Sequence, residues 1–282
     1  PAVMVGPSGE PVGRMRDGDS AFVFNFRADR VRQIVLSLMK SEFTEFDRQQ
    51  PPHLSALASM TLYDATFTLP VAFPQQRLDN ILGEVVSRQG LTQLRLAETE
   101  KYAHVTYFFN GGREEPFSGE ERCLIPSPQE VATYDQKPEM SVREVSQELA
   151  RRWESGAYDL MVCNFANLDM VGHTGDFQAT VAACEAVDEC VGEVMSMLLQ
   201  GGGRLFLSAD HGNAETMLNA EGAVQTAHST SQVAFLWAEQ DPPAGELRSQ
   251  GMLGDIAPTI LDFWGLSVPE EMTGQSLLQR SG

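Results

Sequence analysis

The chain has 282 residues, of which 42% are hydrophobic and 21% charged, as is typical of a globular protein with a large buried core. Its formal net charge of −19 argues against general binding to nucleic acids or anionic membranes. No run of residues approaches the roughly 18 apolar residues that a membrane span requires. The four cysteines lack CxxC spacing, which favours reduced thiols and a cytoplasmic location. An anionic substrate would have to be held by local basic side chains or metal ions.

The N-terminal part of the chain has the pattern of a small α/β unit. Its predicted elements are a strand, AFVFNF (21–26), a helix, RADRVRQIVLSLMK (27–40), and a second strand, ALASMTLY (56–63). The segment TLPVAFPQQR (68–77) contains two prolines, which interrupt regular structure. We therefore expect residues 1–72 to belong to one α/β domain, as its C-terminal remnant, and residues 73–282 to form a second, metal-binding domain.

The second part of the chain alternates helical and strand patterns. The predicted elements are the helix RLDNILGEVVSRQG (77–90), the strand VTYFFNGG (105–112), the helix SVREVSQELARRW (141–153), the strand YDLMVCNF (158–165), the helix TVAACEAVDECVGEVMSMLLQGGG (180–203), and the strands RLFLSAD (204–210) and QVAFLWAE (232–239). Ser141 and Glu144 have the spacing of a capping box at the start of one helix. Strands that alternate with helices of this length predict the α/β class, with a mostly parallel sheet and helices on both faces.

Acidic residues and histidines follow or precede the strands of this second part. Asp169 and His173 come after one strand, Asp210 and His211 directly after another, and His228 just before the last. Ligands of open α/β sheets bind at the carboxyl ends of the strands, so we expect these side chains to converge. Carboxylate together with imidazole suits a borderline divalent ion such as Mn²⁺ or Zn²⁺. The spacing allows two residues, four apart, to share one ion, and the adjacent pair to serve a second ion.

Each of these patterns also has an ordinary structural interpretation. A single Asp–His pair is weak evidence for a metal, because turns favour aspartate in any case. It is the combination of the segments that favours metal ligation. The remaining histidines, His53 and His104, are interpreted as surface or packing residues.

Three basic residues are candidates for holding an anion. Arg27 and Arg30 lie three apart at the predicted start of a helix, where two guanidinium groups on one face would suit phosphate or carboxylate. A solvated basic face is an equally good interpretation of that spacing. Lys101 could reach a phosphate as a point charge, or could be a surface lysine paired with Glu98 or Glu100.

Several stretches of the sequence together resemble one family. They are, in order, FNFRADRVRQI, AETEKYAHVTYFFNGGREEPF, IPSPQEVATYDQKPEMS, NLDMVGHTGDF, SADHGNAE, TAHSTS, GDIAPTILDFWGL and EMTGQSL. The family is that of the cofactor-independent (2,3-bisphosphoglycerate-independent) phosphoglycerate mutases, of the alkaline phosphatase superfamily. The resemblance extends over nearly the whole chain.

The resemblance implies an alkaline-phosphatase-like fold and the interconversion of 3-phosphoglycerate and 2-phosphoglycerate through a phosphoserine intermediate, a step of glycolysis and gluconeogenesis. It further implies two divalent metal ions, Mn²⁺ first with Zn²⁺ or Co²⁺ as alternatives, no bisphosphoglycerate, and a cytoplasmic enzyme that is a monomer when complete. By position in the motifs, the implied ligands are Asp169, His173 and His228 for one ion and Asp210 and His211 for the other, and the implied substrate contacts are Arg27, Arg30 and Lys101.

One element of the family's pattern does not occur among the 282 residues. The nucleophilic serine of these enzymes lies in a stretch resembling N-S-E-V-G-H, which is not found here. We therefore expect no activity from this chain alone, whether it is a fragment or half of a split enzyme that needs the missing N-terminal segment as a partner. The alternatives are another metal-dependent phosphomutase or phosphatase of the same superfamily, or a non-catalytic metal-binding fragment.

Overall fold

The protein is represented by a computed structural model that describes residues 4–26, 31–40, 42–48, 51–64, 66–74, 78–241 and 245–279. The chain divides into two compact units, Pro1–Arg77 (unit 1) and Leu78–Gly282 (unit 2). The division falls at the end of the proline-containing segment in which the sequence places a domain boundary.

Unit 1 contains a strand–helix–strand arrangement. Strand β1 (Ser20–Val23) and strand β2 (Ala56–Ser59) pair in parallel, and helix α1 (Val31–Met39) lies between them in the sequence. An apolar cluster joins the helix to the strands and to the segment that follows them; its buried members are Val31, Val35 and Tyr63. The strand–helix–strand order expected from the sequence is found, with shorter strands.

Unit 2 contains the remaining helices and strands. The helices are α2 (Leu82–Arg88), α3 (Thr99–Val105), α4 (Val142–Glu154), α5 (Asn167–Gly172), α6 (Phe177–Gln200) and α7 (Ile256–Phe263). The strands are β3 (Gln93–Glu98), β4 (Glu120–Ile125), β5 (Leu160–Asn164), β6 (Arg204–Ser208), β7 (Phe235–Glu239), β8 (Glu246–Leu247) and β9 (Leu278–Gln279). Two 3-10 turns, Tyr134–Gln136 and Leu253–Asp255, complete the regular structure. No helix in the described part of the chain is both long and apolar enough to cross a membrane.

The strands of unit 2 are arranged around a parallel sheet of order β4–β3–β5. Strands β6 and β7 pair antiparallel with each other, as do β8 and β9. The predicted α/β class with parallel strands is confirmed. The antiparallel β6–β7 pair departs from the expected parallel arrangement, because the chain reverses through a long loop rather than a helix between these two strands.

Strand β3 is buried along its whole length and has helices on both faces. On one face an apolar cluster joins the strand to α4 and α6; its buried members are Leu94, Leu96, Val145, Leu149 and Val194. On the other face, Gln93 Nε2 donates a hydrogen bond to the backbone oxygen of Gly83, in α2, at 2.8 Å. This arrangement fixes β3, and with it the helix that follows directly.

The second face of β3 carries a buried arginine. Arg95 donates through Nη2 to Gln93 Oε1 at 2.6 Å, and its guanidinium lies 4.7 Å from the centre of the Phe109 ring. Burial lowers the pKa of Arg95 to about 10. The sequence analysis did not identify β3 as a strand, because a charged residue on a strand buried on both faces is unusual.

The predicted strand at residues 105–112 is wrong. Val105 is the last residue of helix α3, and turns follow it. The turns are held by hydrogen bonds: Thr106 Oγ1 donates to the backbone oxygen of Tyr102 at 2.7 Å, and Asn110 Nδ2 donates to Glu120 Oε2 at 2.7 Å. Of the aromatic residues in this stretch, Phe109 packs against the apolar cluster that includes Leu82 and Leu261, whereas Phe108 is exposed.

The predicted capping box of helix α4 is also wrong. Ser141 Oγ donates to the backbone oxygen of Pro126 at 2.8 Å and forms no side-chain cap. The buried carboxylate of Glu98 accepts a backbone hydrogen bond from Ser141 instead. A carboxylate from the end of β3 thus takes the role that the capping-box pattern assigned to Glu144.

Candidate metal centre

The carboxylate of Asp169 lies at the carboxyl end of the parallel sheet. Helix α5 begins three residues after β5 ends, and Asp169 is in its first turn. Lys101, from helix α3 after β3, donates to Asp169 Oδ2 at 2.5 Å. Burial opposes ionisation of Asp169, but hydrogen bonds from Lys101 and Asn213 outweigh it and hold the pKa at about 2. Asp169 is therefore an anion at neutral pH, with one oxygen occupied by a lysine.

The other oxygen of Asp169 faces two histidines. Asp169 Oδ1 lies 3.1 Å from His173 Nε2 and 3.0 Å from His228 Nε2, and the two ring nitrogens are 3.1 Å apart. These three residues, which we call the Asp169 triad, offer ligand atoms close enough to share one metal ion. The triad joins α5, which ends just before His173, to the segment before β7.

The hydrogen bonds of His173 indicate which ring nitrogen is available. His173 Nδ1 lies 2.6 Å from the backbone oxygen of Thr226. A carbonyl only accepts, so Nδ1 carries the proton in the neutral ring and Nε2 keeps its lone pair. That lone pair points toward Asp169 Oδ1, which also only accepts. A cation between these acceptors would satisfy all of them, and second-sphere carbonyls of this kind typically orient metal-binding histidines. The residues therefore fit a divalent ion of the Mn²⁺ or Zn²⁺ type.

The second predicted pair lies beside the triad. His211 stacks on His228 with ring centres 3.7 Å apart, and its Nε2 is 3.8 Å from Asp169 Oδ1. Asp210 Oδ1 is 3.6 Å from His211 Nε2, and the Asp210 side chain is 52% exposed. All five residues that the sequence nominates as metal ligands are thus gathered in one place.

The predicted substrate contacts have different outcomes. Lys101 is 4% exposed, so the interpretation as a surface lysine paired with Glu98 or Glu100 is wrong; its partner is Asp169. Lys101 is in helix α3. Arg27 and Arg30 lie outside the described residues.

One residue of the centre, Asn213, was missed by sequence reasoning. His104, interpreted from the sequence as a surface or packing residue, is exposed and lies edge-on to the Phe108 ring with ring centres 5.4 Å apart. Asn213 donates through Nδ2 to Asp169 Oδ1 at 2.8 Å. Its only signal in the sequence was its position two residues after His211.

Comparison with protein families places this geometry in a known group. A model described as the metalloenzyme superfamily matches residues 29–268. The chain belongs to the metalloenzyme superfamily. The name of the superfamily agrees with a site in which carboxylate and imidazole atoms lie close enough to share one metal ion.

The chain is similar in sequence to curated phosphoglycerate mutases and in structure to a solved one. The chain is 56% identical over 278 residues to the 2,3-bisphosphoglycerate-independent phosphoglycerate mutase of Nitratidesulfovibrio vulgaris, covering 99% of this chain and 54% of the relative. It is 51% identical over 281 residues to enzyme 2 of the same name from Methanosarcina acetivorans, covering 99% and 53%. The crystal structure of Leishmania mexicana phosphoglycerate mutase at low cobalt concentration matches with a TM-score of 0.74 and 29% identity, covering 98% and 53%. The resemblance inferred from the motifs is confirmed, and the chain spans about half the length of these relatives.

Proposed function

We propose that this chain is the metal-binding part of a cofactor-independent phosphoglycerate mutase, which interconverts 3-phosphoglycerate and 2-phosphoglycerate through a phosphoserine. The observation that carries the proposal is the Asp169 triad, in which three ligand atoms from two segments lie about 3 Å apart. The identity of 56% to a curated mutase over nearly the whole chain supports the choice of substrate.

In this proposal the centre holds two divalent ions. Asp169, His173 and His228 would bind one, and Asp210 and His211 would contribute to the other, with Mn²⁺ as the first candidate and Zn²⁺ or Co²⁺ as alternatives. Such ions supply a positive charge that activates the nucleophile and neutralises the phosphoryl group during transfer. No bisphosphoglycerate is required.

The residues of the chain would prepare this chemistry by fixing charge and geometry. Lys101 occupies Asp169 Oδ2, so Asp169 presents a single oxygen, Oδ1, to an ion. Lys101 also adds positive charge beside the site in a chain whose net charge is −19, which favours an anionic substrate locally. Arg27 and Arg30 would hold the phosphate or carboxylate of the glycerate by bidentate hydrogen bonds.

The serine nucleophile would come from outside these 282 residues. We expect this chain alone to be inactive and to require a segment with the serine-bearing motif, either in the same polypeptide or as a separate chain. The complete enzyme would act as a cytoplasmic monomer in glycolysis and gluconeogenesis.

Enzyme assays with and without that segment test the proposal. The chain joined to, or mixed with, the serine-bearing segment of a relative should convert 3-phosphoglycerate to 2-phosphoglycerate with Mn²⁺, and chelation should abolish the conversion. Replacing Arg27 or Arg30 with alanine should raise KM for phosphoglycerate while the chain still binds Mn²⁺. A preference for pentose phosphates in the same assay would instead support a different phosphomutase of the superfamily.

A further inference from the structure

The candidate ligands come from three separate segments, whose positions relative to one another must be fixed. Asp169 is on helix α5, Asp210 and His211 follow β6, and His228 precedes β7. Histidines and carboxylates alone do not hold such segments together, since the unmetallated donors repel one another. A connection made by other residues is therefore needed.

Asn213 makes the connection between the first two segments. Its Nδ2 donates to Asp169 Oδ1 at 2.8 Å and lies 3.3 Å from the Asp169 backbone oxygen. The residue is 6% exposed, so water competes little for these bonds. The contact joins the segment of Asp210 and His211 to helix α5 at the ligand itself.

The shape of helix α5 is matched to this asparagine. A Cβ placed on Gly172 would lie 2.5 Å from Asn213 Oδ1 and 3.1 Å from its Cγ. Any side chain at position 172 would therefore displace the Asn213 amide. The absence of a side chain beside His173 is thus explained by the space that Asn213 occupies.

The third segment is joined through the backbone next to Asn213. Ser229 N donates to the backbone oxygen of Gly212 at 2.8 Å. The Glu215 carboxylate accepts a bond from Asn213 N at 2.8 Å and another from the Ser229 hydroxyl. Ser229, which follows His228, is therefore bonded directly to Gly212, the residue before Asn213, and is linked to Asn213 through the carboxylate of Glu215.

We propose that Asn213 is a positioning residue that fixes Asp169 and sets the placement of Asp210 and His211 relative to the Asp169 triad. This inference rests on the proposed function, because it assigns Asn213 to the metal centre of that enzyme. An asparagine suits the role because its amide donates to a carboxylate without bringing a charge, whereas lysine would repel the ion and aspartate would repel Asp169.

Metal titrations of the purified chain test the proposal. Asn213→Ala and Asn213→Asp should each weaken Mn²⁺ binding, measured by calorimetry, by about 10-fold or more. The visible absorption spectrum of the Co²⁺-loaded chain should also change, because it reports coordination geometry rather than stability. The melting temperature of metal-free Asn213→Ala should shift by less than about 4 °C, as expected for one lost hydrogen bond, whereas Asn213→Asp should lower it further because two carboxylates then face each other. Asn219→Ala, an exposed asparagine of the same loop, is the matched control and should leave affinity and spectrum unchanged.

A double-mutant cycle with Gly172 separates positioning from general disruption. Gly172→Ala should weaken Mn²⁺ binding in the presence of Asn213 but have little further effect in the Asn213→Ala background, because the clash is then relieved. Independent effects of the two substitutions, or an Asn213→Ala variant with unchanged affinity and Co²⁺ spectrum, would overturn the positioning role. An unsubstituted chain that binds neither ion would contradict the proposed function instead.

Discussion

The Asp169 triad and the Asp210–His211 pair lie side by side but differ in how firmly they are built. In the triad, ligand atoms are 3.0 to 3.1 Å apart and Asp169 is held by two side chains. In the pair, the closest approach is 3.6 Å and Asp210 is half-exposed. One group has its donors oriented by the fold, while the other has its acidic member facing solvent.

This difference indicates that the fold orients the ligands of the two candidate ion sites to different degrees. Donors that hydrogen bonds already orient, as they orient Asp169 and His173, bind an ion with little further loss of conformational entropy. A half-exposed aspartate must be ordered when the ion binds and needs additional ligands. We therefore expect the triad to bind an ion in this chain on its own and the pair to bind one weakly.

The largest effect should come from matched substitutions in the two groups. Asp169→Asn should weaken binding of the first Mn²⁺ ion by more than about 100-fold, since a ligand is lost in addition to its supporting contacts. Asp210→Asn should weaken it by less than about 10-fold. Isothermal titration calorimetry measures both. Equal losses of Mn²⁺ affinity in the two variants would show that the Asp169 triad and the Asp210–His211 pair form a single site.

A second, smaller effect concerns which metals stabilise the fold. An ion at about 100 times its Kd raises the free energy of unfolding by about 2.7 kcal/mol, or about 5–10 °C in melting temperature for a domain of this size. Because two of the three triad donors are imidazoles, Mn²⁺, Zn²⁺ and Co²⁺ should give this rise, and Mg²⁺ at equal concentration much less. His228→Ala should abolish the rise with transition metals. A rise with every divalent ion alike would point to the exposed acidic surface instead of the triad.

The elements that sequence reasoning identified are those whose pattern is local. Strand β5 is a continuous apolar run, and helix α4 repeats apolar residues such as Val145 and Leu149 at helical spacing. Strands β3 and β4 were missed because they contain charged residues. Arg122 on β4 pairs with Glu120, two residues earlier on the same strand, at 2.6 Å. Arg95 on β3 lies with its guanidinium 4.7 Å from the centre of the Phe109 ring, a contact that the sequence of the strand alone does not show.

In the candidate site, too, local features could be predicted from the sequence and contacts between distant segments could not. The proximity of its five nominated residues could be predicted because the topological rule for α/β sheets needs only the order of strands and the residues at their ends. The pairing of Lys101 with Asp169 and the bridging contacts of Asn213 could not, because each depends on where another segment lies in space. The sequence therefore indicates the chemistry of the site, whereas its support is visible only in the fold.

The smallest expected effect lies away from the site, at a surface cluster of paired charges on helix α4. On helix α4, hydrogen bonds from Arg151, then Arg152, outweigh desolvation and lower the pKa of Glu148 to about 2. Because the pKa is lowered in the fold, ionised Glu148 stabilises the fold at pH values above about 4.5, the pKa of the group in the unfolded chain. This stabilisation is lost as the pH falls toward 2. Glu148→Gln should therefore lower the free energy of unfolding by about 1 kcal/mol at pH 7, with the difference from the unsubstituted chain disappearing near pH 2. Urea unfolding across this pH range measures it, with Glu154→Gln on the same helix as the control. Mn²⁺ affinity should be unchanged in both variants. A difference in the free energy of unfolding that is constant at all pH values would mean that packing, not charge, explains the lower stability of Glu148→Gln.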